Sequence, residues 1–98
     1  MYESILELMR QAARNNAVYL TLHANKELKN DRLVYDDVIS CIMTGEIIEQ
    51  QIDDAEEKYL IYGDAQSSDE MACVAKLGYN NATLVITVFR LRITDYEN

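Results

Sequence analysis

Y-L-T-L-H-A-N-K-E-L-K-N-D-R-L-V-Y-D-D-V-I-S-C-I-M-T-G-E-I-I-E, residues Tyr19–Glu49, passes through several kinds of local order in one continuous run. Ala17 to Leu22 reads as a short strand or extended entry. His23 to Asn30 is polar, and only Ala24 and Leu28, four apart, hint at a helical face. Val34, Val38, Cys41 and Ile42 then recur at clear helical spacing, with Asp36 and Asp37 in the first turn, where anions complement the helix dipole. Gly45 stands where a left-handed helix cap is expected.

Beyond Gly45 the period shortens. Glu46 to Gln51 and Lys58 to Tyr62 read as strands joined by the acidic turn Asp53 to Glu57. Glu70 to Leu77 and Thr83 to Leu91 form a second pair, linked through Gly78-Tyr79-Asn80-Asn81, residues that tolerate positive φ and favour a hairpin. Gly63 to Asp69 is a polar loop. Thr83 to Val88 is apolar on both alternating faces, as an interior strand would be. Before the opening stretch, Tyr2, Ile5, Leu6, Met9, Ala12 and Ala13 make a helical stripe that Asn15-Asn16 can end. Helices first and an antiparallel sheet second give an α+β expectation: N-terminal helices packed on a roughly four-stranded, mainly antiparallel sheet.

The chain has 98 residues, 49% of them apolar and 27% charged, which suits one globular domain with a modest core. No apolar run is long enough for a membrane span, and Met1 to Arg14 lacks the order of a signal peptide. Cys41 and Cys73 are far apart, and read as reduced core residues of a cytoplasmic protein. The formal net charge of −8 is unevenly placed: from Leu33 to Glu70 a single cation, Lys58, faces eleven acids. Such a balance disfavours RNA, because phosphate neutralisation supplies most of the affinity for nucleic acid. A small basic site between the two less acidic ends is still compatible with it.

The order Thr21-x-His23-Ala24, a polar helix, an amphipathic helix closed by Gly45-Glu46, and a final Thr87-Val88-Phe89-Arg90 resembles a family of small prokaryotic domains of unknown function. That family is in turn similar to the RelE/ParE/BrnT toxins. The resemblance implies a RelE/BrnT-like fold over residues 17–93, with 1–16 as an N-terminal helical extension of a single domain. It also implies a toxin-antitoxin context and a metal-independent RNA endonuclease without cofactor. Relative to the family pattern, Glu27 and Asp31 stand where arginines are usual, Arg32 where Gly is frequent, Val34 where Ser or Thr would cap the helix, and Phe89 where Tyr is usual.

On that reading His23, the single histidine, is the acid or base, since its ordinary pKa permits both roles near neutrality. Arg90 is its companion on the scissile phosphate, where charge builds in the transition state. Lys26, Lys29, Arg32 and Arg92 would bind substrate. Each has a plainer alternative: His23 as a junction hydrogen-bonder, Arg90 as an arginine paired with the acidic turn Asp53 to Glu57, and the lysines as a solvated helix face. Tyr19, Tyr59, Tyr62 and Tyr79 read as sheet or core aromatics. No metal site is expected: one histidine and two distant cysteines do not make a zinc set, and Asp53, Asp54, Glu56 and Glu57 lack calcium-loop spacing.

Two functions follow. One is the toxin-like endonuclease with a cognate antitoxin as partner. The other is a non-catalytic protein-binding or regulatory module on the same fold, including a homodimer. The endonuclease requires a basic patch around His23 and Arg90.

Overall fold

A computed structural model describes residues 1–91. Their elements are α1 (Glu3–Arg14), β1 (Val18–Leu20), α2 (Leu22–Asn30), α3 (Tyr35–Thr44), β2 (Glu46–Asp53), β3 (Glu56–Asp64), β4 (Glu70–Leu77) and β5 (Thr83–Arg90), with a 3₁₀ turn at Tyr79–Asn81 before β5. The class is α+β, with three α-helices beside one sheet of order β1-β5-β4-β3-β2. Strands β2 to β5 form an antiparallel meander, and β1 adds to β5 in parallel through Val18–Thr83, Tyr19–Leu84 and Leu20–Val85. The sheet therefore has five strands, not four. The fifth is the segment read as strand or extended entry: three residues are too few to show a period of two, and a distant partner holds them extended.

Asp54 and Ala55 at the β2–β3 turn have φ 50° and 65°, and Asn80 and Asn81 before β5 have φ 56° and 63°; aspartate and asparagine accept this left-handed conformation readily, whereas Ala55 takes it at a steric cost. Gly45, by contrast, is not a left-handed cap; its φ is −93° and ψ −174°. Glycine is required there for space. A Cβ on Gly45 or on Gly63 would collide with the Cys41 carbonyl, and on Gly45 also with that of Tyr62. These two glycines let the end of α3 lie almost against β3.

α1 and α3 pack on one face of the sheet. Met9, Val38, Cys41, Ile42, Ile61, Cys73, Val85 and Val88 are fully buried in a single cluster there. α1 is part of this core: it buries Leu6, Met9 and Ala12. Arg10 donates from Nε to the Ile42 carbonyl (3.2 Å) and from a terminal nitrogen to that of Gly45 (2.9 Å), satisfying carbonyls orphaned at the end of α3. Cys41 and Cys73 are free thiols buried in this layer. The neighbouring Cys41 thiol, then burial, push the Cys73 thiol well up from its ordinary pKa.

Candidate functional site

The candidate residues gather where β5 outruns its neighbour. β1 stops at Leu20, opposite Val85, so among the described residues the outer edge of β5 from Ile86 to Arg90 has no strand beside it. α2 takes that place. Thr21 opens the helix: its backbone N–H donates to the Val85 carbonyl (3.0 Å), its hydroxyl to that of Ile86 (3.3 Å), and its Oγ1 accepts the Ala24 N–H (3.0 Å). Further along, Glu27 Oε1 accepts the Val88 N–H and Asp31 Oδ2 accepts the Arg90 N–H, both at 2.8 Å. The match is geometric. Four residues of helix rise about 6 Å, and two residues of strand rise about 6.6 Å, so an i, i+4 carboxylate pair meets alternate N–H groups of an edge.

His23 lies one turn before Glu27 on the same stripe, its Nε2 3.3 Å from Glu27 Oε2, with its side chain 66% exposed. Arg90 sits at the Asp31 end. Its Nε and one terminal nitrogen donate to the Asp31 carbonyl (3.2 and 3.1 Å), and that same nitrogen donates to the Arg32 carbonyl (3.3 Å). The other terminal nitrogen pairs with Asp69 Oδ2 at 2.7 Å. The acidic partner of Arg90 is thus Asp69 of the β3–β4 loop, not the Asp53–Glu57 turn, which lies at the opposite end of the sheet.

Asp37 completes this end. Its Oδ2 accepts the Val34 N–H (2.8 Å) and its Oδ1 the Gln66 N–H (3.0 Å). Val34 has no oxygen with which to cap α3, so Asp37 reaches back to the Val34 N–H from the third helical position. Burial alone would raise the Asp37 pKa; the Val34 and Gln66 donors, with the nearby charge of Arg90, outweigh it and hold the carboxyl below its ordinary value.

The structure does not bring the candidate cations together. His23 and Asp31 are eight residues apart on α2 and its end, about 12 Å along the axis, and Arg90 is at the far end. Lys26 and Lys29 are exposed on α2 and make no ion pair among the described residues. Arg32 is exposed in the α2–α3 turn with φ 57°, the left-handed conformation that glycine adopts without strain. Asn30, Asp31, Arg32 and Arg90 line a shallow depression of about 290 Å³. Arg92 lies outside the described residues. Of the tyrosines, Tyr59 is buried, its ring edge-on to Tyr2 with centroids 5.9 Å apart, whereas Tyr19, Tyr62 and Tyr79 are exposed.

Sequence reading missed Glu27, Asp31, Asp37 and Asp69 as partners. The available signal was the i, i+4 carboxylate pair on the polar helix that follows β1, but the same spacing also describes an ordinary solvated helix face.

Among the described residues no helix is long and apolar enough to cross a membrane. No match came from the curated proteins or from the solved structures. A family model described as a domain of unknown function (DUF4258) matches residues 20–90, from the last residue of β1 to the last of β5. The match takes in α2, the carboxylate-capped edge and Arg90, leaving α1 outside, and on it the chain belongs to the DUF4258 family.

Proposed function

We propose that this chain is a non-catalytic protein-interaction domain, and that the α2–β5 junction is a structural seam in it. The observation that carries this reading is the engagement of Arg90. Every nitrogen of its guanidinium already faces an acceptor, in the Asp69 carboxylate or the Asp31 and Arg32 carbonyls. A phosphate would have to displace an ion pair and several charge-assisted bonds. Asp31 and Glu27 add negative charge beside Arg90 and His23, the opposite of what a phosphorane-like transition state needs. His23 also stands about two turns of helix from Arg90, beyond the reach of one scissile phosphate.

The toxin-like endonuclease is the competing reading, and one experiment separates them. The wild-type chain is induced in a bacterial host beside His23→Ala and Arg90→Ala at matched soluble expression, and growth is followed. Unimpaired growth with all three is expected. Arrest by the wild type, relieved by both substitutions, would overturn the interaction reading in favour of RNA cleavage.

A further inference from the structure

The two edges of the sheet are finished differently. At the β5 edge, β1 pairs with residues 83–85, and the Glu27 and Asp31 carboxylates accept N–H groups beyond it. The opposite edge is β2, which pairs with β3 alone. Among the described residues no further backbone hydrogen bond reaches Glu46–Asp53. Its outward N–H and carbonyl groups are a template for one more strand.

Register decides which side chains such a strand meets. Glu46, Glu49 and Asp53 lie opposite Tyr62, Leu60 and Glu56, on the face turned away from the helices. Ile47, Gln50 and Ile52 lie opposite Ile61, Tyr59 and Glu57, on the helix side, where Ile61 and Tyr59 are core residues. All the acids of β2 therefore share one face, and β2 carries no cation. The lysines of that face, Lys58 and Lys76, are held by Asp53 at 3.6 Å and Glu56 at 2.9 Å. Glu46 and Glu49 have no ion pair among the described residues, nor do Asp64 and Glu70, which face each other beyond Tyr62. On the helix side of β2, Ile52 is 70% exposed.

A bulge at Ile48 bends the start of the edge, so regular pairing is open along residues 49–53. The acids and the bulge also deter a second copy, because two β2 strands side by side bring acids toward acids with no cation in either. A strand of opposite charge meets no such repulsion. We infer that β2 receives an extended segment of a partner protein in which Lys or Arg alternates with apolar residues. The basic side chains lie against Glu49 and toward Glu46, and the apolar ones against Ile52. Main-chain hydrogen bonds supply the affinity, and the alternation supplies the specificity. The inference deepens the interaction reading above and rests on it.

Titration calorimetry of the full chain with the end-blocked peptide Lys-Val-Lys-Val-Lys-Val-Lys tests it. A Kd at or below about 100 µM is expected at about 0.15 M salt. The same peptide with proline for valine keeps the charge but loses donors and strand shape, and should bind at least about tenfold more weakly. Amide exchange in the complex should slow in β2 and stay unchanged at residues 86–90. A chain carrying both Glu46→Lys and Glu49→Lys should reject the lysine peptide and take Glu-Val-Glu-Val-Glu-Val-Glu instead, an exchange of preference that misfolding cannot imitate. A weaker Kd for the lysine peptide, or no binding, overturns the inference. So does a proline peptide that binds equally well, since charge alone then suffices, or protection that falls outside β2. Such a failure with unimpaired growth removes the strand site and leaves the interaction reading standing. Growth arrest by the wild type, relieved by His23→Ala and Arg90→Ala, removes that reading whatever the peptides do.

Discussion

Oε1 of Glu27 accepts the backbone N–H of Val88 at 2.8 Å. A helix side chain thereby does what a neighbouring strand would do, and Asp31 repeats it one turn later at Arg90. Glu27→Ala or Asp31→Ala removes the acceptor from a partly buried N–H, at a cost of about 1–3 kcal/mol. Glu27→Gln keeps a carbonyl oxygen in place and should lose less. Urea unfolding measures all three, and losses below about 0.5 kcal/mol for both alanine variants would mean that water replaces the carboxylates.

Asp37 gives the stability a defined pH dependence. Its carboxyl is held below its ordinary pKa, so the unfolded chain takes up the proton more readily than the folded one. The contribution is present in full above the unfolded carboxylate range near about pH 4 and disappears as pH falls through the lower folded value. Asp37→Asn should be less stable than wild type at pH 7, and the gap should narrow in acid. Unfolding curves from neutral to acidic pH check this; a gap constant down to about pH 2 would contradict it.

Gly63 is fixed by space. Its missing Cβ makes room for the Cys41 carbonyl of α3, and backbone cannot move aside as a flexible side chain can. Gly63→Ala should therefore cost at least the upper part of the usual overpacking range of about 1–3 kcal/mol. Thermal unfolding decides it. A Gly63→Ala protein with wild-type stability would mean that α3 does not lie so close to β3.

Thr83 buries a hydroxyl that has no hydrogen-bond partner among the described residues. Replacing it with the near-isosteric Thr83→Val removes an unsatisfied polar group and keeps the β-branched shape that a strand favours. The expected outcome is equal or greater stability, by up to about 1–3 kcal/mol, the cost of an unpaired buried hydroxyl. A clear loss in urea unfolding would show that the hydroxyl is bonded.

Much of the architecture was legible from local pattern. The stripe of Ile5, Leu6, Met9 and Ala12 became α1, and the stripe of Val38, Cys41 and Ile42 became the buried side of α3. The alternating runs became β2 to β5, with Glu70–Leu77 as read and Thr83–Arg90 one residue shorter. Side-chain periodicity repeats over a few residues, and such repeats are what a sequence displays directly.

Tertiary structure alone decided which distant groups meet. It paired three residues near the start with β5 in parallel, turned Glu27 and Asp31 from misplaced charges into acceptors for a strand edge, and gave Arg90 the carboxylate of Asp69. It also changed the reason for Gly45 from a φ requirement to a steric one. A carboxylate, a guanidinium or a glycine has the same local signature whatever it faces. Its partner is set by how the sheet and helices close around it, and no periodicity along the chain records that choice.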